Sequence, residues 1–407
     1  MNKTIIATHT RPDLDSMLGV YLFQKANPGK VSSEKIFLEG GDQFTENGIC
    51  NIVFIDRGRG KYDHHGKHGS LTSAEKVAED FNLSDQSTVK KLLRLNKNND
   101  LRGITQPFDV GDVIKKMAHN SNLSDKERMN KGLRILDDIF QFRELGMERD
   151  VEFTRRVISK FMEEKKEVLF RMLKKYCNQL KKESFTRDCD LVEVLTSEKN
   201  FYGEEKATLF AFDLLEIISQ DEINFNKALK EFEKAKKVRI SKKDLLVKNP
   251  EKIGFFDGDL IVVARSNNPV FNKAARTKGS SVTIQKSNIG THLFFDFTKV
   301  KNSWIDNIMA AIRLEEQILQ GRRRIIANFF KLKKEGRIKG IKEWYYYVSN
   351  DQKGGRFILN KSFTAPDPEI PDTKITPEEL AKIVKSVLRR RDAFYFKRYA
   401  SIRLREK

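Results

Sequence analysis

The chain has 407 residues, 39% of them hydrophobic and 33% charged, with a formal net charge of +20; this composition fits a folded basic protein with more than one core and excludes an intrinsically disordered one. No apolar run approaches the ~20 residues that span a bilayer, and the stretch after Met1-Asn2-Lys3 is too short for a secretory signal, so a cytoplasmic protein without a membrane span is expected. Three scattered cysteines, Cys50, Cys177 and Cys189, argue against a disulfide framework or a thiolate zinc site.

In chain order, Thr4-Ile5-Ile6-Ala7-Thr8 is a short β-branched run that reads as a buried parallel strand. It leads into His9-x3-Asp13-Leu14-Asp15, and residues from Ser16 through Lys25 are apolar at helical spacing, with Ser16 as candidate N-cap. Lys35 to Glu39 and Asn51 to Ile55 read as further strands of a βαβ pattern. The latter ends at Asp56-Arg57-Gly58 and is followed by Asp63-His64-His65. Strand ends in an open α/β sheet share one crevice, so His9 and Asp56 can meet there although 47 positions apart. Carboxylates and imidazoles converging in this way suit a pair of divalent cations, and a helix N-terminus beside them favours phosphate.

From about Ser121 to Gln179 long charged helices are expected, for example Glu148 through Leu180. A strand at Leu191 to Leu195 and an amphipathic stretch from Glu204 to Lys237 follow. A second mixed unit begins near Gly254: a strand at Asp259 to Arg265, a helical turn carrying Arg276 and Lys278, strands at Ser281 to Gln285 and His292 to Asp296 joined by a hairpin loop, and a helix from Ser303 to about Leu319. Beyond it come a basic helix from Arg322-Arg323-Arg324, the aromatic run Trp344 to Tyr347, a Gly354-Gly355 turn and a Pro-rich connector from Pro366 to Pro377. A last helix, entered at Thr376-Pro377-Glu378, runs into the Arg389-to-Lys407 tail.

The predicted architecture is α/β: a parallel-sheet domain over 1–120, a helical connector or insert over 121–250, a smaller α/β domain over 251–330 and a basic extension over 331–407. Residues 322–407 carry 23 basic and 10 acidic groups and supply +13 of the net charge. Such a block marks a polyanionic partner, nucleic acid first and an anionic membrane surface second.

His9-Thr10-Arg11-Pro12-Asp13-Leu14-Asp15-Ser16, Asp56 and Asp63-His64-His65 together resemble the motifs of the DHH phosphoesterase superfamily, which includes exonucleases, nano-RNases, cyclic-dinucleotide phosphodiesterases and family II pyrophosphatases. The resemblance covers roughly the first 115 residues. It implies that His9 and Asp13 hold one metal, usually manganese, that Asp15 and His64 hold a second, and that Asp56 bridges both. It further implies that His65 faces the substrate phosphate and that Asp63 orients a neighbouring imidazole. Of the later aspartates, Asp100 is the best candidate for a further ligand, with Asp109 and Asp112 competing.

The expected cofactors are two divalent ions, manganese in the first instance, with magnesium or cobalt compatible. Arg57, Arg59 and His68 flank the cluster and could clamp a phosphate oxygen. Family exonucleases carry a Gly-Gly-Gly-His type motif in a companion domain, and no such string occurs here. The nearest candidates are Asn288 to His292 and Gly354-Gly355-Arg356; in the second half, His292, Arg265, Arg276 and Lys286 are the candidate substrate-binding residues. The expected function is hydrolysis of phosphodiester bonds in single-stranded or short oligonucleotides by a hydroxide bound to two metals, by a chain that could form homo-oligomers. The alternatives are a small-molecule phosphohydrolase and a nucleic-acid-binding protein with an inactive site.

Overall fold

A computed structural model describes residues 3–38, 52–57, 60–64, 71–102, 104–120, 122–165, 171–182, 187–247, 258–348, 356–361, 369–391 and 395–405. The chain forms two compact units, Met1–Ile223 and Asn224–Lys407.

In the first unit the β-branched run after Lys3 forms β1 (Thr4–His9), the middle strand of a parallel sheet ordered β2-β1-β3, with β2 (Val31–Leu38) and β3 (Ile52–Phe54) beside it. Parallel neighbours need a crossover, and α1 (Leu14–Ala26) supplies the one between β1 and β2. Every residue of α1 from Leu14 to Phe23 is buried, because helices cover the face that the sheet leaves open. Gly19 is required there: a Cβ would stand 2.7 Å from Ile55 Cγ2. The N-cap of α1 is Asp13 rather than the expected Ser16. Asp13 accepts from the Ser16 N–H at 3.1 Å while Ser16 Oγ accepts from the Asp13 N–H at 3.0 Å, a reciprocal box that starts the helix before the apolar periodicity does.

The other regular elements among the described residues of this unit are helices: α2 (Ser73–Asp80), α3 (Ser87–Arg102), α4 (Val110–His119), α5 (Asp125–Glu144), α6 (Val151–Glu164), α7 (Arg171–Leu180), α8 (Leu191–Tyr202) and α9 (Glu204–Lys234), within which the division between the units falls. The strand expected at Leu191 to Leu195 is instead the start of α8. Asp190 accepts from the N–H groups of Val192 and Glu193 and binds Arg149 at 2.7 Å, and this cap outweighs the β-branched pattern behind it.

The second unit carries a sheet ordered β4-β5-β6-β7-β10-β9-β8, made of β4 (Lys236–Ile240), β5 (Asp259–Arg265), β6 (Val282–Lys286), β7 (Thr291–Phe295), β8 (Gly336–Ile338), β9 (Ile341–Val348) and β10 (Arg356–Leu359). Only β5 and β6 are parallel, joined through α10 (Phe271–Thr277); β6 and β7 form the expected hairpin. Along β5 the side chains alternate between two layers. Ile261 and Val263 join the core built with α11 (Asn302–Leu319) and α13 (Pro377–Arg390), whereas Leu260, Val262 and Ala264 pack against α10 and the last turns of α9.

The helix expected from Arg322 does not form. Gly321, at φ 66°, closes α11, with the Arg322 N–H reaching the Gln317 carbonyl, and only the short α12 (Phe329–Leu332) follows. Trp344 and Tyr346 are fully buried in β9, and Tyr347 stacks on Phe357 with centroids 4.6 Å apart. The basic tail forms α14 (Tyr395–Arg405) and is bonded inward: Arg391 to Asp259, Arg403 and Tyr399 to Glu315. Gly354-Gly355 and the first three residues of the Pro-rich connector, 366–368, lie outside the described residues. No helix among the described residues is long and apolar enough to cross a membrane.

Candidate metal centre

The carboxyl ends of β1 and β3 place His9 and Asp56 side by side, and the turn into α1 brings in Asp13 and Asp15. Two groups of possible ligand atoms result, His9 with Asp13 and Asp56, and Asp15 with Asp56 and His64; within each group the atoms lie within 4.8 Å of one another. Asp56 belongs to both. His9 Nε2 stands 3.3 Å from Asp56 Oδ2 and 3.8 Å from Asp13 Oδ1, and His64 Nδ1 stands 3.2 Å from Asp15 Oδ2 and 3.4 Å from Asp56 Oδ1. Donors about 2.1 Å from a common ion stand up to about 4.2 Å apart, so these spacings fit a cation in each group.

Each ligand candidate is oriented by a neighbour. The Thr10 carbonyl can only accept, so the His9 Nδ1–H donates to it at 2.8 Å and Nε2 is left to face the carboxylates. Asp15 is held at the N-terminus of α2, accepting from the N–H groups of Ser73 at 2.8 Å and Ala74 at 2.9 Å and from Asn96 Nδ2 at 2.6 Å. A carboxylate has about four lone-pair positions, so those bonds leave one for a metal. Ser73 Oγ donates to Asp56 at 2.9 Å and lies 3.0 Å from His64 Nδ1. Asp56 itself adopts a left-handed backbone, φ 60°, fixed by its N–H bond to the Tyr62 carbonyl.

The electrostatics are those of a carboxylate cluster that lacks positive charge. Burial and the neighbouring Asp15 raise the Asp56 carboxyl, with His9 opposing. Asp100 is pushed up to about 7 by burial and by Asp15 and Asp13. Burial lowers the two imidazoles, but the carboxylates outweigh it: His9 is raised by Asp13 and Asp56, and His64 is raised to about 9 by Asp15, Asp56 and Asp100. The donor set of oxygen and nitrogen suits manganese, magnesium or cobalt, and the residues present fit a dinuclear centre.

Of the three later aspartates, Asp100 is the one near the cluster, its Oδ2 3.5 Å from His64 Nε2; it lies in the last turn of α3. Asp109 instead caps α4, and Asp112 binds Lys116 at 2.7 Å. Asp63 is buried, with its carbonyl accepting from Lys76 Nζ, and Arg57 is partly buried next to Asp56. His65, Arg59 and His68 lie outside the described residues. His292, Arg265, Arg276 and Lys286 belong to the second unit. His292 is 3% exposed, its Nε2 2.5 Å from the Lys361 carbonyl. Arg265 and Lys286 are register neighbours at the ends of β5 and β6, and Arg276 is exposed on α10.

Sequence reasoning missed Ser73, Thr72 and Asn96. A signal existed for each: Thr72-x-x-Glu75 is a capping box announcing a helix start, and Asn96 and Asp100 are four apart on one face of a helix. No family model, curated protein or solved structure matches the chain.

Proposed function

We propose that the chain is a metal-dependent phosphoesterase of the DHH type that hydrolyses phosphodiester bonds in single-stranded or short oligonucleotides. One observation carries the reading: geometry alone sorts His9, Asp13, Asp15, Asp56 and His64 into two groups that share Asp56, the same grouping that the motif resemblance assigns to two cations. Bound there, two divalent ions would acidify a shared water and stabilise the negative charge that develops on an attacked phosphorus.

The chain's own residues do the rest. Asp56 sets the spacing of the two positions, Asp100 completes the group around His64, and Ser73 and Asn96 keep the carboxylates aimed inward. Arg57 offers a guanidinium fork for a phosphate oxygen, and contact with the same phosphate is the role that the motif resemblance implies for His65. The test is cleavage of end-labelled RNA and DNA oligomers with manganese, compared with Asp56→Asn. The wild type should cut and the variant should lose at least about a thousandfold in rate, a loss typical of removing a residue on which the whole catalytic unit depends. Equal turnover by the variant, or turnover confined to pyrophosphate or cyclic dinucleotides, would overturn the reading or its substrate class respectively.

A further inference from the structure

The sequence places its cationic surplus in the last 86 residues, but the structure divides that surplus unequally. In the tail, Arg389 donates to the Asp244 carbonyl, and Arg391 and Arg403 pair with Asp259 and Glu315. The other concentration is residues 322–342, which hold nine basic residues and one acidic residue, Glu335. Here Lys331, Lys334 and Lys339 are exposed and form no ion pair among the described residues. Together with Arg337 they rim a groove of about 330 Å³ whose apolar floor is Ile326 and Ile338.

The groove is built rather than incidental. Arg313, fully buried in α11, donates to the carbonyls of Leu332, Lys334, Gly336 and Trp344, which fixes the backbone that carries Lys334 and runs between Lys331 and Lys339. Next to Lys331 in the chain, Phe330 is 75% exposed, more than any other large hydrophobic side chain among the described residues, with Lys333 Nζ 5.5 Å from its ring centroid. An exposed aromatic ring costs solubility unless it stacks on something. Cations set around an open aromatic face are the composition of surfaces that track a phosphate backbone and stack its bases.

We propose that this groove binds single-stranded nucleic acid, with Lys331, Lys334 and Lys339 contacting phosphates and Phe330 stacking on a base. An anionic membrane fits less well, since α12 has four residues and presents one exposed ring, too little apolar surface to insert beside the lysines. The groove belongs to the second unit and the metal centre to the first, and the test needs no metal, so each reading can fail alone.

The test is fluorescence anisotropy of the full chain with a labelled 12-nucleotide single strand in EDTA, across a salt series. Replacing the three lysines by glutamate should reduce the steepness of log K against log salt by about 2 or more, since each contact on a single strand contributes about 0.7. Phe330→Ala should weaken binding about tenfold and Phe330→Trp should retain it, a pair of outcomes that a folding defect does not produce. An unchanged affinity and salt slope in the triple variant would overturn the proposal. So would tighter, lysine-dependent binding to phosphatidylserine vesicles than to the oligomer.

Discussion

Asp56 is buried, set among other carboxylates and held at φ 60°, three conditions that each work against a stable fold. Asp and Asn are the non-glycine residues best suited to that backbone, so the position combines a conformational requirement with a ligand requirement. The five central ligand candidates were legible because His and Asp at fixed spacing after two strands have few ordinary explanations. Ser73 and Asn96 were not, since their role depends on which elements fold beside them, and nothing about a single Ser or Asn announces that. His292 shows the opposite outcome: a histidine singled out for substrate contact is a core residue of β7. Burial, with Lys286 adding, holds its imidazole down at about 4, against the Lys361 carbonyl, which favours the charged form. The unfolded chain therefore takes up a proton between pH 6.5 and 4 that the folded one resists. Stability from this group is present above about pH 6.5 and lost as the pH falls towards 4, by on the order of 3 kcal/mol. Denaturant titrations at pH 7 and pH 4.5 should show a smaller loss in His292→Gln, whose amide can still donate to Lys361; equal losses would contradict the assignment.

At the scale of elements, most of the chain could be read from periodicity. The β1, β3, β5 and hairpin strands and the entry to α13 stand where β-branched runs, turn residues and Thr376-Pro377-Glu378 placed them. The misreadings share one cause, a local cap or stop that overrides the pattern beside it. Asp190 turned an alternating apolar run into α8, and Gly321 ended α11 where a basic helix was expected to start. The first case can be tested. Asp190 is fully buried, bonded to two N–H groups of α8 and to Arg149, which would keep only Glu193 and the Arg187 carbonyl if the carboxylate were removed. Asp190→Ala should lower unfolding free energy by about 3 kcal/mol or more, read as a shifted denaturant midpoint. A shift below about 0.5 kcal/mol would mean that the cap does not hold the helix.

For the molecule as a whole, the sequence indicated a mixed α/β architecture and a concentration of charge, and these are its most robust features. It could not apportion that charge, because a lysine facing solvent and an arginine clasping a carbonyl read alike until the fold decides between them. The first unit is a small parallel sheet under many helices with its acidic cluster at the strand ends, and the second is a larger mixed sheet carrying an open basic groove. The account rests on the acidic cluster being a dinuclear centre. The direct measurement is a manganese titration of metal-free protein followed by electron paramagnetic resonance. Wild type should take up two ions per chain with an exchange-coupled signal, and Asp56→Asn, still folded, should lose the coupling and bind at most one ion tightly. Absence of tight binding by the wild type, or the same coupled pair in the variant, would contradict the account.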